Sequence, residues 1–170
     1  MAYRVPAAAA IGANTYTIPG VIQLMAGPHP PASITFPMLG NPPNTHNLGP
    51  NQGMPVQMSP VAEVTRSIGL ITCASVCYLN TANNLAYVFH ANAGHVSQAN
   101  FTAAMVAIGS GGPAHPTVVI AYAHPNATDA GYQATINSFV AWGVPTNNIV
   151  EITHLFLPQF GMNNLLQIGY

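Results

Sequence analysis

The chain has almost no charge. Its 170 residues carry two basic and three acidic side chains, 3% of the total, where an ordinary domain carries about 25%. The five are Arg4, Glu63, Arg66, Asp129 and Glu151, and lysine is missing altogether. The lack of a basic patch argues against a nucleic-acid binder that clamps phosphates. The lack of a polybasic segment argues against electrostatic docking on a membrane surface. Long apolar runs are missing too: none approaches the roughly 18 residues needed to span a bilayer, so no membrane span is expected. The start, Met1 to Pro6 followed by four alanines, has a faint signal-peptide character. Its apolar part is short and Gly12-Ala13-Asn14 interrupts it, so it reads as mature sequence. With only Cys73 and Cys77 present, there is no disulfide framework.

Hydrophobic residues make up 49% of the chain, which argues against intrinsic disorder. The length fits a single domain over residues 1–170 with a sizeable core. Lysine is the ubiquitin acceptor. Its absence suits a protein that works inside a foreign eukaryotic cell and escapes tagging, or a compositional adaptation without that role. The expected location is secreted, or delivered into a host cell without a classical signal peptide, and otherwise cytoplasmic.

The chain changes character near residue 60. Residues 26–60 are rich in Pro, Gly and Asn, which forbids a long helix. Residues 1–60 read as an irregular segment wrapped over the core, with short extended pieces at Thr17–Met25 and Ser33–Leu39. Residues 61–153 read as the core and 154–170 as an apolar tail. Alternation from Ser67 to Leu79 predicts one strand, and Leu85–His90 predicts a second. The polar link Asn80–Asn84 makes them an antiparallel hairpin. Ser97 is placed to cap a helix over 100–108, with Phe101, Met105 and Ile108 inward. A strand follows at Pro116–Tyr122. A helix capped by Thr128 or Asp129 then runs to Trp142, with Tyr132, Ile136, Phe139 and Val140 inward and Gly143 as its stop. Asn148–Thr153 is a further strand. This order predicts an α+β architecture.

A turn centred on Thr81-Ala82 sets Cys73 directly opposite His90, with Cβ atoms about 4.5–5.5 Å apart. A thiol beside an imidazole is the arrangement that yields a reactive thiolate. A turn shifted by one residue makes the pair diagonal. The bland alternative is a buried, inert cysteine beside a satisfied core histidine. The spacing Cys73-x3-Cys77-x12-His90-x4-His95 also satisfies a loose zinc pattern. On a straight strand, however, the two cysteines lie about 13 Å apart, too far for one metal or a disulfide. His124, at the end of an apolar strand, and His95, His115 and His154 read as ordinary polar residues. Asp129 and Glu151 are the only carboxylates after residue 66; an orienter for His90 is one of them, a backbone carbonyl or an amide, with Asp129 better placed as a helix cap.

Ser67-Ile68-Gly69-Leu70-Ile71-Thr72-Cys73, Val76-Cys77-Tyr78-Leu79 and Phe89-His90 together resemble the core of the Cys-His glutamine deamidases. These include the chemotaxis deamidase CheD, the catalytic domain of cytotoxic necrotizing factor and Burkholderia lethal factor. The spacing of seventeen from Cys73 to His90 is similar to the CheD-type pattern, and Ser67 falls where that pattern has a hydroxyl residue six positions before the cysteine. Where the family has Gly or Ser directly before the cysteine, this chain has Ile71-Thr72. The resemblance implies a β-sandwich-like mixed sheet core with flanking helices. It implies catalytic roles for Cys73, His90 and Ser67, conversion of a protein glutamine to glutamate through a thioester, and no cofactor or metal. With Gly69 as a bend, Ser67 can approach the site; on a straight strand it stays about 20 Å away.

The expectation is therefore a cysteine-dependent protein glutamine deamidase, acting as a bacterial effector or toxin on a protein of the host. Two alternatives stand beside it. One is a non-catalytic binding or structural module of a secreted assembly. The other is a Cys-His protease or acyltransferase.

Overall fold

The computed structural model describes residues 3–8, 16–25, 34–125, 130–153 and 158–170. In chain order the first elements are β1 (Tyr3–Ala8), β2 (Tyr16–Thr17), α1 (Ile18–Met25), β3 (Ile34–Thr35), β4 (Asn44–Leu48), β5 (Gly53–Gln57) and β6 (Glu63–Ile68). Then come β7 (Ala74–Asn80), β8 (Leu85–Ala91), α2 (Gln98–Ala107), β9 (Val118–His124) and α3 (Ala130–Ala141). Last are β10 (Ile149–Thr153), β11 (Gln159–Asn163) and β12 (Gln167–Gly169). The architecture is α+β. One sheet has seven strands in the order β3-β1-β10-β9-β7-β8-β5, and the other has five in the order β2-β12-β11-β6-β4. Both sheets are mixed, and neither closes into a barrel among the described residues.

Alternation along β7 and β8 builds two cores. Cys73, Cys77, Leu79, Ala86 and Val88 face the smaller sheet and pack with Phe160, Met162 and Ile168. Ala74, Val76, Tyr78, Phe89 and Ala91 face the other way and pack with Phe101 and Met105 of α2 and Ile136 and Phe139 of α3. The centre of the seven-stranded sheet is thus buried on both faces, and every residue of β7 and β9 is buried. Such strands read as continuous apolar runs. The parallel step from β9 to β10 is made through α3.

The predicted helices are present. Ser97 Oγ accepts the Asn100 amide at 3.1 Å, and Phe101, Met105 and Ile108 are buried. On α3, Tyr132, Thr135, Ile136 and Phe139 are buried. Val140 is not, because it lies past the edge of that stripe and is 40% exposed. The proposed caps Thr128 and Asp129 lie outside the described residues, as does His154.

Three expectations need correction. The piece Thr17–Met25 is mostly helix, not extended chain. Pro19 sits in the first turn of α1, where its missing N–H costs nothing, and the Gly20 amide meets Thr17 Oγ1 at 3.4 Å. Ile18 and Val21 are fully buried between the sheets. Within 26–60, besides the short extended piece β3, two further stretches are ordered edge strands, β4 and β5; Pro55 is tolerated in β5 because that strand forms an edge. The single strand expected from Ser67 to Leu79 is two strands in different sheets, β6 and β7. Gly69 makes the break at φ +70°, a conformation open to glycine at no steric cost. Its N–H donates to the Pro158 carbonyl at 2.8 Å.

Candidate functional site

Cys73 closes the crossover from β6 to β7. Leu70 is buried within that crossover, while Ile71 is 84% exposed. Cys73 itself is buried, 8% exposed, and belongs to the inter-sheet core.

The hairpin register differs from the expected one. Asn80 pairs with Leu85, Ser75 with His90 and Ala74 with Ala91. Extending the ladder by one residue puts Cys73 across from Asn92, and its thiol donates to Asn92 Oδ1 at 3.7 Å. His90 is the diagonal neighbour of Cys73 on the same face, about 7–8 Å away in an ideal ladder. The cause is a four-residue turn, Thr81–Asn84, in place of a two-residue one. Asn80 Oδ1 accepts the Ala82 amide at 3.1 Å, Asn83 Oδ1 accepts the Leu85 amide at 3.0 Å, and Asn84 takes φ 56°.

His90 is buried and firmly held. Its Nδ1 lies 2.8 Å from the Leu48 carbonyl at the end of β4. A carbonyl only accepts, so Nδ1 carries the proton and Nε2 carries the lone pair. Nε2 has no partner. The His90 backbone is also tied, its amide to the Gln52 carbonyl and its carbonyl to the Asn51 amide, both at 2.8 Å. Leu48 thus sets the tautomer, while Asn51 and Gln52 fix the backbone that carries the ring.

Ser67 does reach this region. Its hydroxyl donates to Ser75 Oγ at 3.0 Å, and Ser75 Oγ donates to the Phe160 carbonyl at 2.9 Å. The three sequence-derived residues each meet a different partner: Ser67 contacts Ser75, the Cys73 thiol contacts Asn92 and His90 contacts Leu48. Sequence reasoning missed Leu48, Ser75 and Asn92. The correct turn length would have exposed the last two.

The second thiol is of another kind. Cys77 is wholly buried, and burial pushes its thiol from 9.0 up to about 12, a hydrogen bond with Ser75 offsetting only part. Such a thiol stays protonated and inert. Among the described residues no group of three or more His, Cys, Asp and Glu converges as metal donors, so the zinc spacing does not assemble. Also among the described residues, no helix is long and apolar enough to cross a membrane.

The loop beside Cys73 is unusual. Ala93 sits at φ 49°, ψ 28°, and Gly94 follows at φ +74°. A left-handed alanine is uncommon and persists only where its surroundings over-determine it. The Gly94 carbonyl accepts Tyr122 Oη at 2.6 Å and Thr135 Oγ1 at 2.9 Å, which clamps the loop from below.

No protein-family model matches the chain. No curated protein matches it. Among solved structures it is similar to the Bacillus licheniformis hypothetical protein YfiH, with 10% identity and a TM-score of 0.40, over 71% of this chain and 52% of that one. The chain thus spans about half the length of that structure.

Proposed function

We propose that the chain is a cysteine-dependent protein glutamine deamidase of the CheD and necrotizing-factor type, with Cys73 as nucleophile and His90 as general acid and base. One observation carries the reading. On the face that bears Cys73, His90 is locked by Leu48 as the tautomer whose Nε2 is free to take a proton.

The chemistry follows from that arrangement. Rotation of the Cys73 side chain away from Asn92 brings the thiol toward the imidazole. His90 Nε2 removes the thiol proton, and the sulfur attacks the carboxamide carbon. The carbonyl oxygen becomes an oxyanion beside the backbone amides of the crossover. The C–N bond breaks, His90 returns the proton to nitrogen, and ammonia leaves. Water, deprotonated by His90, then attacks the thioester. The C–S bond breaks, the thiol is reprotonated and the glutamine has become glutamate. The residues around the thiol, Thr72, Ser75 and Asn92, are uncharged, which suits a neutral carboxamide. The absence of lysine fits action on a protein of a host cell.

A second reading is a non-catalytic binding or structural module. It is favoured by the Cys73 thiol bonding to Asn92 and packing in the inter-sheet core.

The test compares the wild-type chain with Cys73→Ser in a eukaryotic lysate, reading glutamine-to-glutamate conversion by peptide mass spectrometry. Conversion at a defined glutamine, lost in the variant, is the expected result. No conversion together with a Cys73 thiol inert to alkylation overturns the proposal in favour of the second reading.

A further inference from the structure

We propose that Tyr132 is a positioning residue for the nucleophile, holding the Thr72–Cys73 peptide plane so that the Cys73 amide serves the oxyanion. This rests on the assignment of Cys73 as nucleophile.

The contact is specific. Tyr132 lies in the first turn of α3, 60 residues along the chain, and its Oη donates to the Thr72 carbonyl at 2.7 Å. A trans peptide is planar, with its C=O and N–H pointing in opposite directions. Fixing the Thr72 oxygen toward α3 therefore aims the Cys73 N–H away from α3. That is the side on which the Cys73 side chain packs, since Cys73 belongs to the inter-sheet core and Tyr132 to the helix-side core. One hydrogen bond on one face of the sheet thus orients the donor on the other.

The same ring governs the loop across from Cys73. Gly94 packs so closely on it that a Cβ there would collide with the Tyr132 ring carbons. Tyr132 accordingly contacts both sides of the thiol, through Thr72 and through the Asn92–Gly94 loop.

The ring is itself seated on a rigid base. It stacks on His124, with centroids 4.3 Å apart and planes 17° apart. His124 Nε2 lies 2.8 Å from Glu151 Oε1, and the Gln133 side-chain amide donates to the same oxygen at 2.6 Å. His124 and Glu151 are both buried. The deamidase chemistry makes no direct use of either group; their contribution is to keep Tyr132 in register with Thr72.

The test uses the full chain with two probes, a p-nitrophenyl ester and iodoacetamide. Attack of the thiol on the ester carbonyl forms an oxyanion, whereas displacement of iodide from iodoacetamide forms none. Labelling of Cys73 by each is followed at neutral pH by mass spectrometry in wild type and Tyr132→Phe, with the thermal midpoint of each recorded. The Phe variant keeps the stack and the packing under Gly94 and loses only the hydroxyl. The expected result is acylation by the ester slowed about twofold to tenfold, the scale of one lost hydrogen bond, with alkylation unchanged. Where glutamine conversion is measurable, kcat should fall with KM unchanged, because the oxyanion contact strengthens only in the transition state.

Unchanged acylation, or acylation and alkylation slowed together, with or without a lower thermal midpoint, overturns the proposal and leaves Tyr132 a packing residue. If the Phe variant does not fold, Tyr132→Met fills the same space without the hydroxyl and is read in the same way. Selectively slowed acylation in a protein that converts no glutamine would retain the positioning role and remove the deamidase assignment. A wild-type Cys73 as inert as Cys77 overturns both.

Discussion

Ser75 stands directly across the β7–β8 ladder from His90. Its hydroxyl is the middle link between Ser67 and the Phe160 carbonyl. The imidazole therefore faces a hydroxyl across the strands, while its Nδ1 is committed to Leu48.

That commitment separates two histidine variants. His90→Asn places a side-chain N–H near the position of Nδ1 and deletes Nε2. Its folding stability should stay close to wild type, while deamidation falls about 10²- to 10⁴-fold, the range attributed to general acid–base catalysis. His90→Ala leaves the Leu48 carbonyl unpaired and should cost about 1–3 kcal/mol. Urea unfolding beside glutamine conversion checks both, and equal stability of the two variants would contradict the Leu48 contact.

Cys77 makes a prediction about alkaline stability. Its folded-state thiol is pushed from 9.0 to about 12 by burial. A group with a raised folded value contributes stability fully below its unfolded value and loses it as pH rises toward the folded one. Stability should therefore hold to about pH 9 and fall between about 9 and 12, and Tyr78, also raised by burial, steepens the fall. Cys77→Ala should be less stable at neutral pH yet show a shallower decline. Urea midpoints measured at pH 7, 9.5 and 11 test the slope.

Arg66 offers a stability prediction outside the site. Its guanidinium bonds neutral acceptors: Asn47 Oδ1 at 2.9 Å, the Gly40 carbonyl at 3.1 Å and Asn41 Oδ1. Together these fasten the 40–41 segment to β4 and β6. Arg66→Ala should lower stability by about 2 kcal/mol, the worth of a hydrogen bond to a charged group. Arg66→Lys should recover little, because an ammonium cannot reproduce the planar fork. A lysine variant as stable as wild type in thermal unfolding would refute the geometric argument.

The sequence made legible those parts whose signals were local. The Ser97 cap, the α3 stripe and the apolar runs of β8, β9 and β10 depend on neighbours within a turn or a strand. The register of the hairpin does not. Asn80, Asn83 and Asn84 each accommodate turn geometry, so the string supports more than one turn length, and tertiary pairing of β7 with β9 selects one. The strands β4, β5, β11 and β12 are short and lie in Pro-, Gly- and Asn-rich sequence, so their order comes from sheet partners distant in the chain. Proline hid α1, since in sequence a Pro at a helix start looks like a Pro that forbids a helix. Tyr132 was legible as an inward helix residue, but its bond to Thr72 spans 60 positions and leaves no mark in either local pattern.

The bond between Ser67 and Ser75 turns the crossover into a ring. Residues 67 to 75 leave one sheet, arch through Gly69 and return in the other, and two hydroxyls 3.0 Å apart clasp the ends. Cys73 rides on this hoop two positions from the clasp. A hoop closed at its base moves as a unit, so the thiol inherits the stiffness of the clasp, and a substitution at either serine would reach the sulfur as slack.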